Sequence, residues 1–185
     1  MPNNYNFCGN CPYINQLHLP AKYHSQIGSP LSIDYGNNAT ELLIFQAPGI
    51  DEWQGSTISG RRIPIDSNNS HSAAQRMRNS MQRKGTSRCN YDITEVVQCY
   101  PGKNKKGNRD KVPCLDSRLH CLQYLLVESL LLKRYDRIVA FGRIAYEMAV
   151  LAVNCASQLG FYQPDPTYAR HPSSGVSNAT LDNSY

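Results

Sequence analysis

The chain is short of several features that would fix its class at once. It has no run of about 18 apolar residues, the length a bilayer-spanning helix needs, so no membrane contact of that kind is expected. The opening "MPNNYNFCGN" has neither a basic cluster nor an apolar stretch, so no secretory signal is expected and the cytoplasm is the expected compartment. No internal repeat and no linker divides the sequence, which excludes an array and leaves a single domain over residues 1–185. Charged residues are only 18%, yet 41% of the 185 residues are hydrophobic, too many for a disordered chain and enough for one core.

What is present is a mild excess of positive charge, +5, which leans toward polyanionic partners. There are also seven cysteines. An odd number in a reducing compartment argues against a disulfide framework and for a metal site or cluster.

The pattern alternates strands with helices. "ELLIFQAPG" (41–49) reads as an apolar strand broken at Pro48-Gly49, and "SHSAAQRMRNSMQRKG" (70–85) as a helix stopped by Gly85. A strand is expected at about 91–98, followed by a basic loop. Residues 116–134 read as a helix with a Leu119, Leu122, Leu126 and Leu130 stripe. "RIVAFG" (137–142) reads as a buried strand, with a helix over 143–153 and a polar tail. This order predicts an α/β fold with a parallel sheet, and ligands on such sheets sit at the carboxyl ends of the strands.

Within "YDITEVVQCYPG" (91–102), Ile93, Val96 and Val97 suit a packed strand, whereas Glu95 and Cys99 do not. A buried carboxylate is costly unless it is paired or hydrogen-bonded. Arg137 and Arg143 are candidate ion-pair partners if Glu95 is merely structural. Cys89 and Cys155 read as ordinary small buried residues.

Four stretches fall at strand ends or in the N-terminal loop: "CGNC", "FQAPGIDEWQG", "VVQCYP" and "ARHPSSG". In this order, over about residues 8 to 175, they resemble the uracil-DNA glycosylase superfamily, specifically its iron–sulfur, family 4 type. The resemblance implies a three-layer α/β/α sandwich with a short, mainly parallel four-stranded sheet. It also implies a 4Fe–4S cluster on four thiolates. Cys8, Cys11 and Cys99 match by motif. Cys121 is preferred over Cys114 as the fourth ligand, because its distance to the "RIVAFG" strand is family-like. From composition alone a structural zinc site on four thiolates is the better expectation, and only the resemblance reverses it.

The same resemblance assigns the pocket. His171 would stabilise negative charge on the departing base, and Ala47, Pro48 and Gly49 would surround the base and the attacking water. Gln46 replaces the family's acid, and Asp51 and Glu52 are the acids left to orient water, with Glu52 preferred. The base-stacking position falls on Ile58, with Trp53 or Tyr100 as substitutes. Glu95 stands where the family has Asn. An ionised Glu only accepts hydrogen bonds, and cytosine's exocyclic amine donates one, so the expected base is cytosine-type or a modified cytosine as in phage DNA. A protonated Glu95 would still suit uracil.

The basic stretch "KNKKGNRDK" (103–111), with Lys105, Lys106 and Arg109, would contact phosphates, as would Ser173 and Ser174 in the His-Pro loop. The expectation is thus a monomeric DNA glycosylase, acting on single- or double-stranded DNA without a small-molecule cofactor. The alternatives are a uracil-specific repair enzyme and an inactive DNA-binding member of the family.

Overall fold

The computed structural model describes residues 8, 11–13, 30–50, 53, 73–104, 106, 109–172 and 175–185. Its centre is a four-stranded, all-parallel sheet in the order β2-β1-β3-β4, where β1 is Glu41–Phe45, β2 Asp92–Glu95, β3 Arg137–Phe141 and β4 Thr167–Ala169. The two inner strands are near-continuous apolar runs, with Leu42, Leu43, Ile44 and Ile138 to Phe141 all at 0% exposure. A parallel strand covered on both faces requires that composition. β2 lies at one border of the sheet, where Asp34 closes it by exchanging two 2.9 Å backbone hydrogen bonds with Ile93. That shields an edge that would otherwise offer free N–H and C=O groups.

Helices cover both faces. On one lie α1 (Ala73–Arg83) and α4 (Asn178–Asp182), packing Met77, Met81 and Leu181 against Leu43, Ile93, Val139 and Phe141. Arg83 fastens α4 to α1 through two hydrogen bonds to Asp182, at 2.7 and 2.8 Å. On the other face lie α2 (Leu115–Leu125), continued by a π-helical turn at Leu126–Leu130, and α3 (Arg143–Gln158). Ala145, Ala149, Ala152 and Ala156 of α3 are fully buried, and their small side chains let the helix lie close to the sheet.

This is the expected three-layer α/β/α arrangement, with local differences. β2 ends at Glu95, and residues 96–99 bend away from the sheet instead of extending it to 98. α3 runs five residues beyond the expected 153, to Gln158. The polar tail holds both β4 and α4. The leucine stripe of α2 is only partly buried: Leu122 and Leu126 pack against the core that holds Cys121, Leu125 and Leu130, while Leu119 is 45% exposed. Cys89 is exposed and Cys155 half-buried, so neither is the core residue its type suggests.

In the chain, α1 lies between β1 and β2 and on one face, α3 between β3 and β4 and on the other. The strand order therefore reverses between β1 and β3, and in such sheets ligands bind at the carboxyl ends there.

Candidate functional site

All the expected pocket residues that the structure describes lie along this carboxyl edge. Glu95 ends β2, and Gln46 to Gly49 follow β1. His171 follows β4 and stands beside Gly142 at the end of β3. Gly142 has φ +94° and donates its N–H to the Ala169 carbonyl at 2.7 Å. A Cβ on Gly142 would sit 3.5 Å from that of His171, so the glycine lets the ends of β3 and β4 close together around the histidine. Glu52, Ile58, Lys105, Ser173 and Ser174 lie outside the described residues, as does Asp51.

The register decides which way Glu95 faces. Phe45 pairs with Glu95 as Leu43 pairs with Ile93, so both pairs project to the α1 face. Glu95 is 2% exposed. Its neighbour Phe45 is half-buried and stacks on Phe141 of the next strand, ring centroids 4.7 Å apart and planes within 4°. The carboxylate therefore stands in a row with two stacked phenyl rings. Sequence reasoning missed Phe45. The signal was its position directly before Gln46, at the strand end rather than in the loop beyond it.

Trp53 and Tyr100 are not free to stack on a ligand. Both are at 0% exposure and pack on each other at 6.2 Å; they form a small core of their own with Ile50 beneath the 46–50 loop. Nor do Arg137 and Arg143 neutralise Glu95: Arg137 lies 3.9 Å from Glu41, and Arg143 bonds Glu147 at 2.7 Å.

His171 keeps an exposed surface, yet protein crowds its ring enough that desolvation lowers its pKa below the ordinary histidine value, with the charge of Asp110 pulling the other way. An open face with dense surroundings is the environment of a side chain at the rim of a cleft. Asp110 belongs to the basic loop, which is folded on itself. Asn104 N–H donates to the Arg109 carbonyl at 2.8 Å, Lys111 N–H to the Gly102 carbonyl at 2.7 Å, and Lys103 pairs with Asp110 at 2.7 Å. The Tyr100 hydroxyl donates to Asp110 at 3.2 Å. The loop is thereby anchored near His171 with Lys106 and Arg109 exposed.

β2 carries a second carboxylate that sequence reasoning did not single out. Asp92 is completely buried at the amino end of the strand. It accepts from Gly36 N–H at 2.8 Å and the Tyr135 hydroxyl at 2.8 Å, and pairs with Lys133 at 2.6 Å. One four-residue strand thus has a carboxylate at each end, and the Asp92 one is saturated by structural partners.

The thiols gather behind this edge, on the α2–α3 side. Cys11 and Cys121 are in the core there, with Cys8 and Cys99 packed against it. Burial pushes the Cys99 thiol well above its ordinary value, followed by the charges of Cys121, Cys8 and Cys11. Burial likewise pushes Cys121 up to about 12, opposed by a hydrogen bond from the Gln98 backbone N–H and assisted by Cys11 and Cys8. Cys11 is raised chiefly by burial. These four sulfurs therefore share one buried region. Cys114, at the start of α2, is exposed, with its thiol 3.4 Å from the Ser117 hydroxyl, and its charge, like that of Cys8, also acts on Cys11. Among the described residues no three His, Cys, Asp or Glu side chains are drawn together tightly enough to hold a metal ion. The thiols share the region without converging on one point.

As a donor set, four neighbouring cysteines, Cys11 and Cys121 buried and Cys8 and Cys99 half-buried, suit an iron–sulfur cluster or a zinc ion, either of which would hold them as thiolates. A cavity of about 320 Å³ lies elsewhere, lined by Leu130 to Arg134 and Gly160 to Gln163. It is at the amino ends of β3 and β4, away from this chemistry. Neither a protein-family model nor a curated protein sequence matches the chain.

Proposed function

We propose that the protein is a DNA glycosylase that hydrolyses the N-glycosidic bond of a flipped cytosine-type base, leaving an abasic site. The observation that carries this reading is the carboxyl edge. A buried acceptor (Glu95) stands at one end, an accessible imidazole (His171) at the other, and the Gln46–Gly49 loop lies between. Three inter-strand steps separate the end of β2 from that of β4 by roughly 14 Å, a span one pyrimidine can bridge once Glu and His side chains reach inward. An extruded base is read by hydrogen bonds to its edge and by stacking, for which Glu95 and Phe45 supply the two kinds of contact.

In this mechanism Glu95 accepts from the exocyclic amine and orients the base. His171 donates to the base oxygen where negative charge develops, the general device of a preplaced donor. Its lowered pKa keeps the ring neutral near pH 7, so it donates through an N–H without adding a full charge. Gln46 and the 47–49 backbone hold the water, with Glu52 as the acid available to activate it. Cys8, Cys11, Cys99 and Cys121 would hold the 4Fe–4S cluster (zinc being the other metal this donor set accepts), and its contribution is to tie the N-terminal segment, the end of β2 and α2 together. Lys105, Lys106 and Arg109, with Ser173 and Ser174, would take the phosphates of single- or double-stranded DNA. Free cysteines suit the reducing cytoplasm, and among the described residues no helix is long and apolar enough to cross a membrane.

The test is incubation of anaerobically purified protein with oligonucleotides carrying uracil, hypoxanthine, cytosine, 5-hydroxymethylcytosine or its glucosylated form, followed by alkaline cleavage. Strand breaks confined to cytosine derivatives, abolished by His171→Ala and Glu95→Ala, support the proposal. Breaks at uracil alone would make it a repair enzyme reading its base through a protonated Glu95. DNA binding with no base release would make it an inactive binding member, the reading that the amide at Gln46 favours.

A further inference from the structure

Gln98 connects the thiol region to the end of β2. It is fully buried, at 0% exposure. Its side-chain amide donates to the Glu95 carbonyl at 2.6 Å and, more weakly, to the Thr94 hydroxyl at 3.3 Å. Its own carbonyl accepts from Leu31 N–H at 2.8 Å, and the next residue in the chain is Cys99, packed against the core that holds Cys121. The orientation of the amide is fixed. Exchanging its two ends would set Oε1 against the Glu95 carbonyl, acceptor against acceptor.

The consequence falls on Glu95. The peptide joining Glu95 to Val96 is held on both sides: its carbonyl by Gln98, and its N–H by the Phe45 carbonyl at 2.8 Å. Fixing that plane fixes the backbone torsion that aims the Glu95 side chain. We propose that Gln98 is a positioning residue, through which the state of the Cys8/Cys11/Cys99/Cys121 site sets the order of the strand end that aims Glu95. The inference rests on the proposed assignment of those four cysteines as metal ligands and of Glu95 as base reader. It adds that metal loading and base selectivity are coupled through one amide. The Oε1 atom has no donor among the described residues, so the amide is kept for what its nitrogen does.

The experiment is amide hydrogen exchange on the full-length protein, reconstituted anaerobically with iron and sulfide or loaded with zinc, before and after chelation. In the wild type, chelation is expected to speed exchange over residues 94–98 on the order of tenfold or more, a local opening, with β3 unaffected. Gln98→Met has the same length but lacks the donors. It should bind the same amount of metal, exchange quickly at 94–98 whether loaded or not, and lose discrimination between cytosine and uracil oligonucleotides more than it loses maximal rate. Thr94→Val, which removes only the weaker contact, should behave like the wild type. Unchanged wild-type exchange on chelation would overturn the coupling even if bases are excised, and so would failure to take up either metal. Coupled exchange without excision of any base would sink the glycosylase reading and leave the coupling standing. The wild-type comparison decides the matter even if Gln98→Met does not fold.

Discussion

Replacing Asp92 by alanine should be among the most destabilising single changes available in this protein, although Asp92 touches nothing in the candidate site. The carboxylate is completely buried and holds three groups: Gly36 N–H, the Tyr135 hydroxyl and the Lys133 ammonium. Breaking a buried charged pair from one side costs about 3–5 kcal/mol, because the groups left behind lose their partners. The Lys133 side chain is 35% exposed, so its ammonium can turn to water and its share is modest. Tyr135 is 1% exposed and cannot. Its hydroxyl stays protonated, held well above its ordinary pKa by burial first and by Asp92 second, and each such orphaned donor costs about 1–3 kcal/mol.

An overall loss of about 4 kcal/mol follows for Asp92→Ala and about 2 kcal/mol for Asp92→Asn, which keeps the acceptor facing Gly36. For a chain of this size the alanine change corresponds to a fall in melting temperature of roughly 8–16 °C. Urea unfolding with linear extrapolation measures the loss, with the slope expected to stay constant. A loss under about 1 kcal/mol at constant slope would refute the reasoning, since it would mean that water or a rearranged Lys133 satisfies the buried groups without the carboxylate.

Other outcomes follow from the same geometry. Gly36→Ala would place a Cβ 2.6 Å from the Cys89 carbonyl oxygen and 2.7 Å from that of Tyr91, backbone atoms that cannot swing aside. A loss of about 2–3 kcal/mol is expected in thermal unfolding, and less than additive in combination with Asp92→Ala, because Gly36 donates to Asp92. His171 is held below its unfolded pKa of about 6.5. The unfolded chain therefore binds the proton first as pH falls, and this site's contribution is complete above about pH 6.5 and is lost toward lower pH. His171→Gln should accordingly flatten part of the stability decline below pH 6.5; an identical decline in both proteins would count against the crowded environment. Cys121→Ser should lose the bound metal and its visible absorbance while Cys114→Ser keeps both, and the reverse result would move the fourth ligand to the cap of α2. Glu95→Gln, which can donate as well as accept, should shift excision from cytosine-type bases toward uracil in single-turnover assays, and unaltered selectivity would remove Glu95 from base reading.

Much of this protein is written locally. The apolar runs that became β1 and β3 are legible because a strand covered on both faces has to be continuously apolar, and the alternation of strands with helices already implies a parallel sheet. Of the candidate residues, Gln46 was legible as the residue after a strand, whereas Glu95 stood out as an acid inside the strand expected over 91–98 and His171 only by its motif, in a tail where no strand was expected. The sequence could not reveal which face each one takes. Phe45 became visible beside Glu95 only through the pairing register between two strands nearly fifty residues apart. Asp92 reads as an ordinary strand-edge acid until Tyr135 and Lys133 arrive from the segment after α2. Gln98 is an unremarkable amide until the chain bends at residue 96 and turns its side chain back onto the Glu95 carbonyl. That Cys121 and Leu125 are the buried positions of α2 while Leu119 is exposed depends on how the helix sits against α3 and the sheet. Hydrophobicity and spacing act along the chain and fix which elements form. Register, helix rotation and the partners of buried polar groups depend on residues distant in sequence, so only the tertiary structure could decide them.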